Sequence, residues 1–204
     1  MSEIATETKG HRWFAAMYDK LSRVSERRQV ARLRRELLGD LHGDVLEIGA
    51  GTGLNFEHYP ADARVVALEP DPHMLRRARE KLRPNIELRQ APAESLPFGD
   101  ASFDAVVSTL VLCTVDDVQR SLAEIRRVLR PAGRLVFIEH VRADGFSGSV
   151  QDAIRPAWGY FAAGCNPNRR TGQALADAAF RVTSLQHTEF APIIPVIYGT
   201  AEPT

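Results

Sequence analysis

Val45-Leu-Glu-Ile-Gly-Ala-Gly-Thr-Gly53 starts as a short apolar run and breaks into three alternating glycines. Taken from Asp44, the run reads as a strand to Ile48, the glycines as a tight turn, and the segment from Leu54 as a helix. Glycine at such a turn permits positive φ and keeps side chains out of a ligand's path, while the N–H groups at a following helix N-terminus attract polar atoms. Working outward, Arg64 to Leu68 is a second strand ending at Glu69, Pro70-Asp-Pro72 a turn, and His73 to Leu82 a helix closed by Pro84. Ile86 to Gln90 is a third strand, and Phe103 to Ser108 a valine-rich strand of the kind buried on both faces of a parallel sheet. Val118, Leu122, Ile125, Val128 and Leu129 recur at helical spacing, and Pro131-Ala-Gly133 ends that helix before a strand from Arg134 to Glu139. Beyond His140 the pattern weakens: Val150 to Ala162 and Thr171 to Ala179 read as helices, Val182 to His187 and Val196 to Ala201 as strands. Strands alternating with helices predict an α/β doubly wound, mostly parallel sheet with helices on both faces.

The rest of the chain limits what such a sheet can serve. Its 204 residues suit one domain, with 1–39 as N-terminal lid helices and 40–204 as the ligand-binding domain. Hydrophobic residues make up 44% and charged residues 25%, which excludes a disordered or fibrous chain. Lys plus Arg and Asp plus Glu are both 26, so the chain lacks the overall charge of a dedicated nucleic-acid binder. Neither a secretory leader nor an apolar stretch of membrane-spanning length is legible, which predicts a cytoplasmic protein. The basic segment with Lys20, Arg23, Arg27, Arg28, Arg32, Arg34 and Arg35 reads as a solvated lid face, with weak contact to an anionic membrane surface as the alternative. Cys113 and Cys165 form no C-x-x-C pair, and His11, His42, His58, His73 and His187 show no ligand spacing, so no metal centre is expected.

The glycine turn and the end of the second strand together specify a ligand. Glu69 ends that strand twenty residues after Gly49, where a carboxylate can accept from both hydroxyls of an adenosine ribose. Leu54 stands where a dinucleotide fingerprint needs its third small residue, which argues against a pyrophosphate. Glu47 places negative charge beside the turn, suiting a cationic aminoacyl and sulfonium group. S-adenosylmethionine satisfies both ends.

With Glu69-Pro-Asp-Pro72, Ala93-Glu-Ser-Leu-Pro-Phe98 and Leu129-Arg-Pro-Ala-Gly133 added to the opening motif, the sequence closely resembles the class I S-adenosylmethionine-dependent methyltransferases. The second half is similar to a narrower group, the alkyl-thiol S-methyltransferases, through Ser108-Thr-Leu-Val-Leu-Cys-Thr-Val115, Glu139-His-Val141, Arg155-Pro-Ala-Trp158, Gly164-Cys-Asn166 and Ile197-Tyr-Gly199. The resemblance implies a Rossmann-like sheet with an antiparallel C-terminal strand and a small-molecule acceptor, a thiol or sulfide first; quinone, phenol or lipid-amine acceptors, or a non-catalytic cofactor-binding module, are the alternatives. It further implies that Glu47, Gly49, Ala50, Gly51 and Gly53 cradle the methionyl part and Glu69 the ribose. Pro70 and Met74 would cover adenine, Ala93 and Glu94 meet its edge, and Thr109 and Leu110 border the sulfonium. Tyr18 would close over the cofactor from the lid. Many class I enzymes carry an Asp where Pro92 stands, so adenine recognition falls to backbone groups, Glu94 or water.

Methyl transfer from a sulfonium needs chiefly an aligned nucleophile and a dry pocket. A thiol of ordinary pKa already supplies some thiolate at neutral pH, so little base assistance is needed. His140, at the end of the fifth strand, is the one candidate base or acceptor-orienting group. Cys113 is read as a small core residue. Trp158, Tyr160 and Phe161 offer an apolar wall or ordinary core packing.

Overall fold

The computed structural model describes residues 29–161, 164–191 and 194–204. Seven strands form one sheet in the order β3-β2-β1-β4-β5-β7-β6. They are β1 (Asp44–Ile48), β2 (Arg64–Leu68), β3 (Ile86–Arg89), β4 (Phe103–Thr109), β5 (Leu129–His140), β6 (Phe180–Ala191) and β7 (Ile194–Pro203). The first five pair in parallel; β7 runs antiparallel to β5, and β6 antiparallel to β7. Helices α1 (Gln29–Leu38), α2 (Pro72–Arg79), α3 (Val118–Val128), α4 (Gly145–Phe161) and α5 (Thr171–Asp177) complete the described elements.

Period-two alternation inside buried strands sends successive residues to opposite layers, so each strand needs apolar side chains on both faces. Leu46, Leu68, Val106, Leu135 and Phe137 pack with Leu122 and Ile125 of α3 and Leu175 of α5. Their neighbours Val45, Val65, Ala67, Ala105, Val107 and Val136 face the other way, onto Leu38, Leu41, Phe56, Tyr59 and Ala78. Leu33 of α1 meets Ile138 and Val196 in a smaller cluster, which seats the described part of the basic segment on the sheet. Two helices start on side-chain caps: Asp71 accepts from the N–H groups of His73 and Met74, with Pro72 following it, and Asp117 accepts from Arg120. Among the described residues no helix is long and apolar enough to cross a membrane.

Two local readings change. The helix expected from Leu54 is absent, and only a single 3-10 turn, Phe56–His58, interrupts the bends between β1 and β2. Asn55, Phe56 and Tyr59 are buried inward, and Tyr59, in front of Pro60, is extended at φ −74° and ψ 137°, so no helical turn can propagate. Pro131-Ala-Gly133, expected to separate helix from strand, lies inside β5: Leu129 pairs with Phe103 and Arg134 with Ala105, and the residues between bulge out. The helix has already ended at Val128.

These connections bring the carboxyl ends of β1, β2, β4 and β5 to one edge of the sheet, carrying Gly49, Glu69, Leu110 and His140 respectively. In an open parallel sheet this edge, at the reversal of strand order, is where ligands sit.

Candidate functional site

The glycines of the first turn divide the work. All three have positive φ, between 58° and 77°. A Cβ on Gly49 would come within 2.5 Å of Val111, and one on Gly53 within 2.8 Å of the Phe56 ring, so both are glycine because protein fills the space. A Cβ on Gly51 would meet nothing within 4 Å among the described residues. Its neighbourhood is a narrow crevice lined by Arg34, Glu47, Gly49, Ala50, Gly51, Thr52, Leu54, Asn55 and Thr109.

Two buried carboxylates flank that crevice. Glu69 accepts from the N–H groups of Gly51 at 2.7 Å and Asp71 at 2.8 Å. Each oxygen therefore keeps acceptor capacity. Burial pushes its pKa up to about 7, and the two N–H bonds hold it below a still higher value. Glu47 is spent differently: Asn55 Nδ2 donates to one oxygen and the Tyr59 hydroxyl to the other, both at 2.9 Å. Burial raises it to about 7 as well, against the pull of those bonds and of nearby Arg34. Glu47 thus fixes the crevice floor. Asn55 also donates to Thr109 Oγ1 at 3.2 Å, tying β1's turn to the end of β4, while its own Oδ1 is buried without a partner among the described residues. A buried acceptor left open costs about 1–3 kcal/mol unless a ligand satisfies it.

The residues expected to enclose adenine lie at the end of β2, in α2 and in the loop before β4. Met74 and Ala93 are buried and Pro70 half-buried, and Gln90 Nε2 donates to the Pro70 carbonyl at 2.9 Å, joining the ends of β2 and β3. The Glu94 carboxylate accepts from the Asp116 N–H at 3.0 Å, which fixes the loop before α3. Leu110 has φ of 59°, a conformation costing a branched residue about 1–3 kcal/mol, and its N–H donates to Ile138 at 2.7 Å. That strain places the chain's reversal at the end of β4, beside the crevice. Tyr18 lies outside the described residues.

The loop after β4 is organised by one residue. Buried Glu139 accepts from the Ser108 hydroxyl at 2.6 Å and from the N–H groups of Val111, Leu112 and Cys113 at 3.1 to 3.3 Å; burial raises its pKa. From the α4–α5 connection, Asn166 and Arg169 donate to the carbonyls of Cys113, Leu112 and Val115. The result brings together what separations of 27 and 25 residues hid: His140 Nδ1 lies 3.9 Å from Cys113 Sγ and 3.6 Å from Cys165 Sγ, and the sulfurs are 3.6 Å apart. Each cysteine reads as structural by itself; assembled, Cys165 is held below the usual thiol range by its neighbour's S–H and by His140, and Cys113 is pushed above it. Arg34, Asn55 and Glu139 likewise escape a reading of the sequence as site residues, because their roles depend on contacts across the sheet and not on spacing.

An open sheet with a glycine crevice at its switch point and two carboxylates beside it is a Rossmann-like ligand-binding frame. A methyltransferase-domain model matches residues 46–137. Thiol S-methyltransferase TMT1A of Homo sapiens is 35% identical, over 93% of this chain and 86% of its own length. The phosphatidylethanolamine N-methyltransferase of Cereibacter sphaeroides is 37% identical over 70% of this chain and 72% of its own. A SAM-dependent methyltransferase of Thermotoga maritima has the same fold at a TM-score of 0.69, 23% identity, and coverage of 95% and 98%. The chain belongs to the S-adenosylmethionine-dependent methyltransferases, enzymes of small-molecule acceptors.

Proposed function

We propose that this enzyme methylates a thiol, with S-adenosylmethionine held in the Gly51 crevice. The observation that carries the acceptor is the likeness to a thiol S-methyltransferase along 93% of the chain. The cofactor is supported by unfilled space over Gly51, the open Asn55 Oδ1 and the spare acceptor capacity of Glu69. When bound, it supplies a methyl group on a cationic sulfonium.

Each chain residue then has a physical task. Glu69 accepts from ribose hydroxyls, and Pro70, Met74, Ala93 and Glu94 enclose the base. Gly49, Ala50, Gly51 and Gly53 shape the methionyl channel; Asn55 Oδ1 accepts from the ammonium, and Arg34, 6% exposed, pairs with the carboxylate. Glu47 holds Asn55 and Tyr59 in place. Thr109 and Leu110 border the reacting centre, and His140 faces the acceptor as its orienting or base group. Arg34 belongs to α1, which supports the reading of residues 1–39 as a lid of the same domain, completed by Tyr18. The reading also puts the enzyme in the cytoplasm, where Cys113 and Cys165 stay reduced.

The test is transfer of labelled methyl groups to a panel of alkyl thiols, phenols and amines. Label on sulfur is expected, with phenols and amines at background. Label only on a phenol or an amine replaces the acceptor; no label on anything leaves a cofactor-binding module.

A further inference from the structure

We propose that Cys113, His140 and Cys165 form a zinc site of three protein ligands, with the fourth position open to a thiol. Among the described residues this is the group of metal-ligating side chains whose donor atoms converge, all within 4.8 Å of one another. The distances decide more than the proximity. Tetrahedral zinc, with Zn–S of about 2.3 Å and Zn–N of about 2.0–2.1 Å, needs S···S edges of roughly 3.8 Å and S···N edges of roughly 3.5 Å. The observed edges are 3.6 Å between the sulfurs, and 3.6 and 3.9 Å from sulfur to nitrogen. The three edges match those of a tetrahedral ion to within a few tenths of an ångström.

The donor set and its surroundings agree. Two sulfurs and an imidazole suit zinc's borderline-soft preference, and three protein ligands with an exchangeable fourth is the composition of a catalytic zinc, whereas structural sites are closed by four. The triangle is held from outside: Glu139 fixes the Cys113 backbone, and Asn166 ties the Cys165 loop to the Cys113 carbonyl. Cys113 and Cys165 are 1% and 5% exposed, whereas His140 is half-buried, so an incoming ligand reaches the ion from the His140 side. Zinc binding releases both cysteine protons to solvent, and a thiol taking the fourth position releases its own. The acceptor then stays a thiolate below its ordinary pKa, and His140 orients it through the metal in place of acting as a base. This last step rests on the thiol reading; the ion does not.

The experiment measures metal in the full chain purified under reducing, chelator-free conditions. One zinc per chain by mass spectrometry of the metal is expected, and cobalt replacement should give thiolate-to-cobalt charge transfer with intense tetrahedral bands. Cys113→Ser and Cys165→Ser should lose stoichiometric zinc, and His140→Asn serves as the second variant should either serine fail to fold by circular dichroism. A folded, reduced chain without zinc in zinc-supplemented buffer overturns the site, as do variants that keep the ion or a weak, octahedral cobalt spectrum. A simple alkyl thiol should perturb the cobalt bands; an unchanged spectrum removes the fourth-ligand assignment. Sulfur methylation without zinc leaves the proposed function standing and sinks only this inference, and zinc in an enzyme that labels phenols alone does the reverse.

Discussion

Gly49 and Gly51 are two residues apart and share a positive φ, yet they predict different failures. Gly49→Ala drives a methyl into Val111 and strains φ, so it should lower stability by at least about 2 kcal/mol in urea unfolding. Gly51→Ala meets no atom of the described residues and should cost only the left-handed strain of about 1–2 kcal/mol. Its methyl enters the crevice, so affinity for S-adenosylhomocysteine should fall about tenfold or more by calorimetry; an unchanged affinity would move the ligand off this turn. Glu69 gives a sharper residue test, because a group with pKa of about 7 accepts from ribose hydroxyls more strongly as the carboxylate than as the neutral acid. Affinity should weaken by up to about tenfold for each pH unit below 7, and Glu69→Gln should weaken it by about 1.5–3 kcal/mol and flatten that dependence.

At the scale of elements, the loop after β4 stands on Glu139. Glu139→Ala leaves a hydroxyl and three N–H groups without their acceptor inside the protein, which should cost at least about 3 kcal/mol by urea unfolding. Glu139→Gln keeps one acceptor oxygen and should cost less; equal losses would show that the loop does not depend on the hydrogen bonds. Elements of this kind also mark how far the sequence can be read. β1, β2 and β4 are legible to within a residue, because a strand buried on both faces carries a short, mostly apolar run. The glycine turn and Glu69 are legible from their position at the ends of those strands. The first crossover is not, because helical spacing says nothing of side chains turned inward: Asn55 and Tyr59 answer to Glu47, a partner eight and twelve residues back. β6 and β7 reach further than their apolar centres because antiparallel pairing from Phe180–Pro203 to Ala191–Ile194 supports polar positions that have no pattern of their own. The Cys–His cluster has no ligand spacing in the sequence, since three connections have to close before its members meet.

For the whole molecule, buried Glu47 and Glu69 tie stability to pH and ligand together, and buried Glu139 shifts in the same direction. Glu47 and Glu69 sit near 7 when folded and near 4.5 in the open chain, so between those values the folded state holds more protons. Their contribution is therefore full below about pH 4.5 and is lost as pH rises through 7, by up to about 3 kcal/mol for each group. His58, which burial holds below its usual value, acts in the opposite direction below pH 6.5, and Asp44, Asp104 and Asp152, held low by arginines, matter only in stronger acid. The difference between wild type and Glu69→Gln isolates the wanted term: the free wild-type enzyme should lose melting temperature relative to the variant from pH 5 to 8. Ligand should act with the contrary slope, because hydroxyl donors favour the charged carboxylate. At pH 8, S-adenosylhomocysteine at 100 times its dissociation constant should add about 2.7 kcal/mol, or about 5–11 °C for a chain of this length. The same concentration at pH 6 should add visibly less, and in Glu69→Gln the two increments should converge. A ligand increment that is equal at both pH values in the wild type would place the adenosyl group away from this carboxylate, whatever else the crevice holds.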